Sequence, residues 1–409
     1  MDSLDISPDE VHRRFRWARR QGHPAWLWPE VPIPAWREAL HRIEGAVGDV
    51  LLARSNAEPL AGDPAAIGLA CYTSGVGPLL GWWQENDLLA ATREVAPVLE
   101  LHLRHNRIRA PRMRAAAALL VETLLARNVA VTVLKGAHTE HVYFPSSDTR
   151  PASDIDLLVH ERDAASAEGA LLSLGYVGAG RGPRESSWRH SAAPREPRSL
   201  RLVHADDPWS IDLHSSLNLS AGPGAPVARL DAADPMSSRS RWPPSPGAAV
   251  LDQPLLLLHL AVHAGTGLQN LTLLRLVELI FVIRRDMTLT GGTWEAFLAL
   301  GKRTDALGFA YPPLRLCEDL APATVPHFVL ERCAAEAPPA VRAVVGRLTP
   351  ATAQRVHRGS LAEHFMWTRG WRGRLEQLAS DLVPSTSART LWSVYERRIW
   401  ALVRGRISR

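Results

Sequence analysis

Cysteine is scarce in this sequence, since the 409 residues include only three, Cys71, Cys317 and Cys333. These cysteines are far apart, form no Cys-x-x-Cys pair and are odd in number, so they predict no disulfide framework. Because structural disulfides are typical of secreted proteins, their absence favours a reducing, cytoplasmic location.

Long apolar runs are also missing. The two most apolar stretches, residues 254–265 and 271–283, are shorter than the roughly 20 residues that a membrane-spanning helix needs. Four polar or charged residues interrupt them: His259, His263, Arg275 and Glu278. The stretches therefore predict buried helices and no membrane partner. The polar, acidic sequence of residues 1–10 does not resemble a signal peptide.

Lysine is almost absent, because Lys135 and Lys302 are the only two and the other 45 of 47 basic residues are arginine. A lysine directly before Gly136 is therefore less expected to occur by drift. The formal net charge of +5 is modest. Tryptophans that follow or precede arginine, as at Arg16-Trp17, could stack on nucleic-acid bases. No recognised motif orders them, so RNA or DNA binding is a less favoured alternative.

The composition, with 46% apolar and 22% charged residues, is that of an ordinary globular protein. The hydrophobic pattern divides the chain into four regions. We predict an N-terminal helical region at residues 1–110, a core with strands at 111–220, a Pro/Gly-rich linker at 221–250 and a helical domain at 251–409. The predicted fold class is α+β, with a small mixed sheet flanked by N-terminal helices and a mostly α-helical C-terminal domain.

Local patterns place the elements of the predicted core. Pro111 is expected to begin a helix. Two β-branched runs, at residues 129–136 and 153–160, predict buried strands. Residues 178–199 are rich in Gly, Arg, Pro and Ser and predict a loop. Residues 201–217 predict a β-hairpin that turns at the sequence Asp-Asp-Pro.

Three aspartates form the most informative pattern. Asp154 and Asp156 are two residues apart in a predicted strand, so their side chains point to the same face. Asp212, between Ile211 and Leu213, can lie on a neighbouring strand and point the same way. Three convergent carboxylates can hold divalent metals against a triphosphate, and a bound cation lowers the cost of burying them. The alternative is that these aspartates face water at the end of a hairpin.

The dipeptide Lys135-Gly136 ends the first predicted strand and opens a helix. Glycine lets a ligand approach the backbone closely, amide groups at a helix start favour phosphate, and lysine can supply a positive charge. A plain turn with a solvent-exposed lysine is the alternative. Arg150, shortly before the aspartates, could clamp a phosphate or neutralise the aspartates as a structural ion pair, and the sequence leaves both open.

His259 and His263 are four residues apart, which is the spacing of two metal ligands on a helix. A zinc-protease motif would need a glutamate after the first histidine, where Leu260 stands. Core packing is therefore the favoured interpretation. A second possibility is that His263 lines a nucleotide cleft from the helical domain.

At these residues the chain resembles the polymerase-beta-like nucleotidyltransferase superfamily, and within it a bacterial group of uncharacterised nucleotidyltransferases. The resemblance spans residues from about 115 to 290 and is carried by LKGA at 134–137, tyrosine and proline at 143 and 145, Arg150, DIDLLV at 154–159 and DLH at 212–214. Members of this group are found near peptide natural-product pathways, including those of lasso peptides, which implies a peptide or small-metabolite acceptor.

The resemblance implies a metal-dependent transfer of a nucleoside monophosphate from an NTP, with ATP expected, to a hydroxyl or phosphate acceptor on a small molecule or peptide. It implies that Mg²⁺ or Mn²⁺ binds at Asp154, Asp156 and Asp212, and that Asp212 helps to deprotonate the acceptor. The residues it implies for triphosphate binding are Lys135, Gly136, Ala137, Thr139 and Arg150.

One position departs from the pattern of the superfamily. Many members carry a serine after the glycine of the turn, and that serine contacts phosphate; here Ala137 follows Gly136. Only backbone amides, Lys135 or Thr139 could make that contact. A catalytically silent nucleotide-binding partner or regulatory protein of a biosynthetic pathway is therefore the main alternative function.

Overall fold

The computed structural model describes residues 13–14, 27–28, 30–55, 57–182, 184–193, 206–222, 224–268, 271–287, 292–353, 365–368 and 370–382. Most of the described helices precede or follow, in sequence, the strands of one mixed sheet. Those before the sheet are α1 (Ile33–Leu51), α2 (Pro64–Ser74), α3 (Gly77–Glu85) and α4 (Ala96–Ala126). The predicted α+β fold class is confirmed.

The main sheet contains six strands, namely β1 (Val131–Val133), β2 (Asp154–Val159), β3 (Tyr176–Arg181), β4 (Glu185–His190), β5 (Ser210–His214) and β8 (Ala249–Val250). Their order across the sheet is β3-β4-β5-β2-β1-β8. Strand β2 is central: it pairs antiparallel with β1 and parallel with β5. A separate antiparallel pair is formed by β6 (Leu219–Ser220) and β7 (Val227–Ala228).

Two helices lie between the strands of the core, α5 (Lys135–Val142) after β1 and α6 (Ala164–Ser173) after β2. The helices after the sheet are α7 (Leu255–Gly265), α8 (Leu273–Val282), α9 (Gly292–Arg303), α10 (Leu307–Leu320), α11 (His327–Glu336), α12 (Pro339–Val345), α13 (Pro350–Ala353) and α14 (Gly370–Leu382). A π-helical turn, Ile283–Met287, extends α8.

The side chains of β2 separate two hydrophobic cores because they alternate between the faces of the sheet. Ile155, Leu157 and Val159 belong to a core that also contains side chains of α4 and α6. Leu158 belongs to the larger core, which contains residues from helices that precede and helices that follow the strands in sequence. Asp154 and Asp156 share the face of Leu158, so they point toward the helical part of the molecule.

Pro111 lies inside α4, so the prediction that it begins a separate helix is wrong. An internal proline removes one backbone hydrogen bond and costs about 3 kcal/mol. The helix continues because apolar residues on both sides of the proline are buried, including Leu99 and Leu103 before it and Leu120 and Leu124 after it. Tertiary packing outweighs the local preference for a break.

The predicted loop at residues 178–199 is wrong over its first half, because β3 and β4 form an antiparallel hairpin there. These strands are mostly exposed, with Tyr176 and Trp188 among their few buried side chains. Their glycines and charged residues therefore gave no strand pattern. In the hairpin predicted at residues 201–217, residues 201–205 lie outside the described residues, and β5 pairs instead with β2 and β4.

The segment predicted as a linker, residues 221–250, contains β7, two short 3₁₀ turns and β8. Strand β8 pairs in parallel with β1 and thus belongs to the main sheet. Trp242 is fully buried, and its Nε1 donates a hydrogen bond to the carbonyl oxygen of Ala137, at 2.7 Å. The segment is therefore fastened to the core, while the division into four regions stays a prediction.

None of the described helices combines the length and apolar character that crossing a bilayer requires. Cys71, Cys317 and Cys333 are buried, and none of them forms a disulfide. The core of the described chain is therefore held together without covalent cross-links.

Candidate active site

Three carboxylates converge where β2 and β5 lie side by side. The parallel register places Asp156 directly opposite Asp212 and Asp154 opposite Ser210. One oxygen from each of Asp154, Asp156 and Asp212 lies within 4.8 Å of the other two. The structure thus brings together the three aspartates that the sequence pattern singles out.

Among the three aspartates, Asp156 has the most favourable contacts with neighbouring side chains. Its Oδ1 accepts a hydrogen bond from Lys135 Nζ at 2.8 Å and lies 2.9 Å from His214 Nε2. Burial alone would raise the pKa of Asp156, but the Lys135 ammonium and the His214 hydrogen bond outweigh it and hold that pKa well below its usual range. Asp156 is therefore ionised at neutral pH.

The negative charges of Asp154 and Asp212 are balanced less well by neighbouring groups. Burial and the charge of Asp156 raise the pKa of Asp154 to about 6. Burial also raises the pKa of Asp212, with the charges of Asp156 and Glu185 adding to the effect and a Ser187 hydrogen bond opposing it. Asp212 Oδ1 is buried and has no hydrogen-bond partner among the described residues. The cluster carries more negative charge than the single ammonium of Lys135 balances.

The Lys135-Gly136 turn joins β1 to α5. Lys135 adopts a φ of 42°, in the left-handed region that few non-glycine residues occupy. A methyl group added at Gly136 would overlap Nη1 and Cζ of Arg150. The guanidinium of Arg150 therefore occupies the space that a side chain at position 136 would fill, a contact that the sequence pattern did not predict.

Arg150 forms a two-point ion pair with Glu278, a residue of α8. Its Nε and Nη2 lie 2.9 and 3.0 Å from the two carboxylate oxygens of Glu278. Thr139 Oγ1 donates a hydrogen bond to the same carboxylate. The ion pair of Arg150 is therefore with Glu278 and not with the aspartates, and the hydroxyl of Thr139 is bonded to the same carboxylate. Phosphate binding by Arg150 stays a prediction.

A cleft lies between the carboxylates and the helices α7 and α8, with about 480 Å³ of empty space when the part open to solvent is included. Its lining residues are Lys135, Gly136, Arg150, Asp154, Asp156, Leu260, His263, Arg275, Glu278 and Leu279. Among the residues predicted for triphosphate binding, Ala137 and Thr139 do not line it. The side chain of Ala137 packs against the sheet core instead.

The sequence matches one family model, described as an uncharacterised nucleotidyltransferase, over residues 75–322. The match covers more than half of the chain and includes the three aspartates, the Lys135-Gly136 turn and the helices α7 and α8. The chain belongs to this nucleotidyltransferase family. No curated protein and no solved structure matches the chain significantly.

Nucleotidyltransferases typically use divalent metals, and the carboxylate cluster of this family member fits such an ion. Carboxylate oxygens are the donors that Mg²⁺ and Mn²⁺ prefer. The buried, unpartnered Oδ1 of Asp212 and the raised pKa of Asp154 both mark oxygens whose charge lacks a counterpart. A divalent cation held by Asp154, Asp156 and Asp212 would supply that counterpart.

His263 lines the cleft of this nucleotidyltransferase from α7, as the sequence allowed. His259 lies one turn earlier and is buried, with neither ring nitrogen hydrogen-bonded to any described residue. Burial, with the nearby charge of Lys135, lowers the pKa of His259 to about 3 and places the pKa of His263 well below its usual range. Both imidazoles are therefore neutral at pH 7.

Arg275 and Glu278 are the charged cleft residues that the sequence pattern did not indicate. Both lie on α8, where all the other residues of the helix are apolar. Charged residues in so apolar a helix are a signal, since they need a partner or a ligand when buried. The partner of Glu278 is Arg150, which is 128 residues away in the chain and could not be identified from the sequence.

Proposed function

We propose that this nucleotidyltransferase moves a nucleoside monophosphate from an NTP, with ATP as the expected donor, to a hydroxyl or phosphate group of a small molecule or peptide. The observation that supports this most is the convergence of Asp154, Asp156 and Asp212 beside a cleft that also contains cationic side chains. Carboxylates can hold a divalent metal, and cations can hold phosphate, so one cleft offers both halves of a metal–triphosphate site.

In this proposal Asp154, Asp156 and Asp212 hold Mg²⁺ or Mn²⁺. When bound, the metal supplies the charge neutralisation and Lewis-acid polarisation that transfer at the α-phosphate requires. Lys135 and His214 keep Asp156 ionised and oriented through their contacts with its Oδ1. Their role is to preorganise the carboxylate before substrate binds.

Lys135 is the proposed contact for a phosphate oxygen. Its Nζ lies at the cleft and is paired with Asp156. Because lysine is a point charge on a flexible stem, its ammonium can turn from Asp156 to a phosphate oxygen once the charge of Asp156 is balanced otherwise.

Asp212 is the proposed group for the acceptor. It is only partly buried, and burial together with neighbouring carboxylates raises its pKa. The family resemblance implies that the third carboxylate helps to deprotonate the acceptor. We therefore propose that Asp212 orients the acceptor hydroxyl and takes up its proton during transfer.

The location and the remaining partners belong to the same proposal. The three cysteines are free and buried, which agrees with a reducing compartment, and we propose the cytoplasm. The acceptor is proposed to be a small molecule or peptide, and nucleic acid is not part of the proposed reaction.

The test uses ATP labelled at either the α- or the γ-phosphate, with Mg²⁺ and cell extracts fractionated into small molecules and peptides. We expect α-label, and no γ-label, to appear in a new product together with pyrophosphate. Asp154→Asn and Asp156→Asn should abolish the product. Asp163→Asn, a partly exposed control outside the cleft with the same charge change, should leave it unchanged. Equal labelling by all variants would rule out the proposed site.

A second candidate function is nucleotide binding without turnover. It is favoured by Ala137, whose side chain packs into the sheet core and whose carbonyl accepts a hydrogen bond from Trp242, so the turn offers phosphate no hydroxyl. Calorimetry separates the two candidates. A silent binder would take up ATP with a measurable heat but release no pyrophosphate with any acceptor fraction.

A further inference from the structure

Arg275 is a cation of the cleft whose charge is balanced only at longer range, by Glu278, Asp154 and Asp156. Its side chain extends from α8, is partly buried and lines the cleft together with Asp154 and Asp156. It forms no hydrogen bond or ion pair with any residue that the structure describes. A guanidinium removed from water without a directly bonded partner is costly, so an anionic ligand is the expected compensation.

The residue that would ordinarily pair with Arg275 is already engaged. Glu278 is three residues further along the same helix, a spacing at which opposite charges often pair. Both of its carboxylate oxygens, however, accept hydrogen bonds from Arg150. Arg275 is thus left without the intrahelical ion pair that its sequence position suggests.

Most of the other charged side chains of the cleft form ion pairs with one another. Lys135 is paired with Asp156, and Arg150 with Glu278. Among the charged side chains that line the cleft, Arg275 and Asp154 are left, and the structure shows no ion pair between them within 4.0 Å. A ligand that brings both a cation for Asp154 and an anion for Arg275 would satisfy both.

We propose that Arg275 binds a phosphate group of the nucleoside triphosphate, an assignment that rests on the function proposed above. The planar guanidinium offers parallel N–H donors that match two phosphate oxygens, a geometry that lysine cannot provide. Because Arg275 belongs to α8, phosphate binding would connect the helical wall of the cleft to the carboxylates of the sheet. The helical region would then contribute directly to the nucleotide site.

Calorimetry with inorganic tripolyphosphate, and separately with ATP, tests the role of Arg275 in phosphate binding. EDTA is present, so that a bound metal makes no contribution to the measured affinity. The proteins compared are the full-length wild type, Arg275→Gln, Arg275→Lys and Arg303→Gln. Arg303 is exposed on α9, outside the cleft, so its variant matches the charge change. We expect Arg275→Gln to weaken binding of both ligands at least tenfold and Arg275→Lys to weaken it less, because a charge-assisted contact is lost or only partly replaced.

The outcomes separate this inference from the function on which it rests. If the wild type binds and Arg275→Gln binds equally well, or if Arg303→Gln loses as much affinity, the role of Arg275 is refuted and the nucleotidyltransferase proposal stands. If the wild type binds neither ligand, with or without Mg²⁺, the role of Arg275 and the nucleotidyltransferase proposal are both refuted. Thermal unfolding shows whether Arg275→Gln is folded, and if it is not, an unaltered affinity of Arg275→Lys refutes the role.

Discussion

Arg150 and Glu278 form a two-point ion pair across 128 residues of sequence, with nitrogen–oxygen distances of 2.9 and 3.0 Å. Only 10% and 4% of their side-chain surfaces are exposed. The pair links the loop before β2 to α8 and therefore joins the two walls of the cleft.

Removal of one partner of this pair should be costly. We expect Glu278→Ala to lower the free energy of unfolding by about 3–5 kcal/mol, because it leaves a buried guanidinium without a counterion. Urea denaturation measures the effect. The double variant Arg150→Met/Glu278→Leu should be considerably more stable than the single variant, and equal losses in the two proteins would contradict this interpretation.

Gly136 should not tolerate even one methyl group. In Gly136→Ala the new Cβ would overlap the Arg150 guanidinium, so we expect a loss of about 1–3 kcal/mol in stability. Gly45→Ala is the control, since no atom lies within 4 Å of a Cβ added at this exposed helical position. That variant should be stabilised by roughly 0.5–1 kcal/mol. A neutral Gly136→Ala would show that Arg150 moves aside freely.

The stability of the protein should depend on pH through Glu140. Burial raises the pKa of this carboxyl to about 8 from an ordinary value of 4.5, although Arg114 and Arg150 oppose the shift. Between these pH values the folded protein keeps a proton that the unfolded chain has lost, so this contribution to stability falls as pH rises.

Glu140→Gln should remove that dependence. We expect the variant to be more stable than the wild type by a few kcal/mol at pH 8 and to differ little at pH 4. Denaturant titrations at both pH values provide the measurement, with the exposed Glu161→Gln as control. A constant difference between wild type and variant across this range would argue against a raised pKa at Glu140.

Divalent metal should stabilise the folded protein through the carboxylate cluster. At a hundredfold excess over the dissociation constant, Mg²⁺ or Mn²⁺ should add about 2.7 kcal/mol to the free energy of unfolding. Asp212→Asn should lose most of this increment relative to its own stability in EDTA, whereas Asp163→Asn should keep it. An increment that survives in Asp212→Asn would place the metal elsewhere.

The parts of the fold that could be predicted from the sequence are those with a strong local pattern. The alternation in β2 placed Asp154 and Asp156 on one face, and the apolar residues around Asp212 indicated a neighbouring strand. The hairpin of β3 and β4 was missed because one of its faces is exposed and rich in glycine and charged residues.

The remaining contacts of the site depend on tertiary structure. Neither the pairing of Arg150 with Glu278 nor the contact of Arg150 with Gly136 has a local signature in the sequence. For the same reason Arg275 could be recognised only as a charge in an apolar helix, and its place in the cleft became visible with the fold.

The scarcity of lysine gives the cleft a chemical handle. Lys135 is 13% exposed and faces the carboxylates, while Lys302, the only other lysine in the chain, is exposed on α9. An acyl-phosphate derivative of ATP, which acylates amines near its binding position, should therefore mark Lys135 in a way that excess ATP prevents. Labelling of Lys302 in the same sample would provide the internal reference for reagent reactivity.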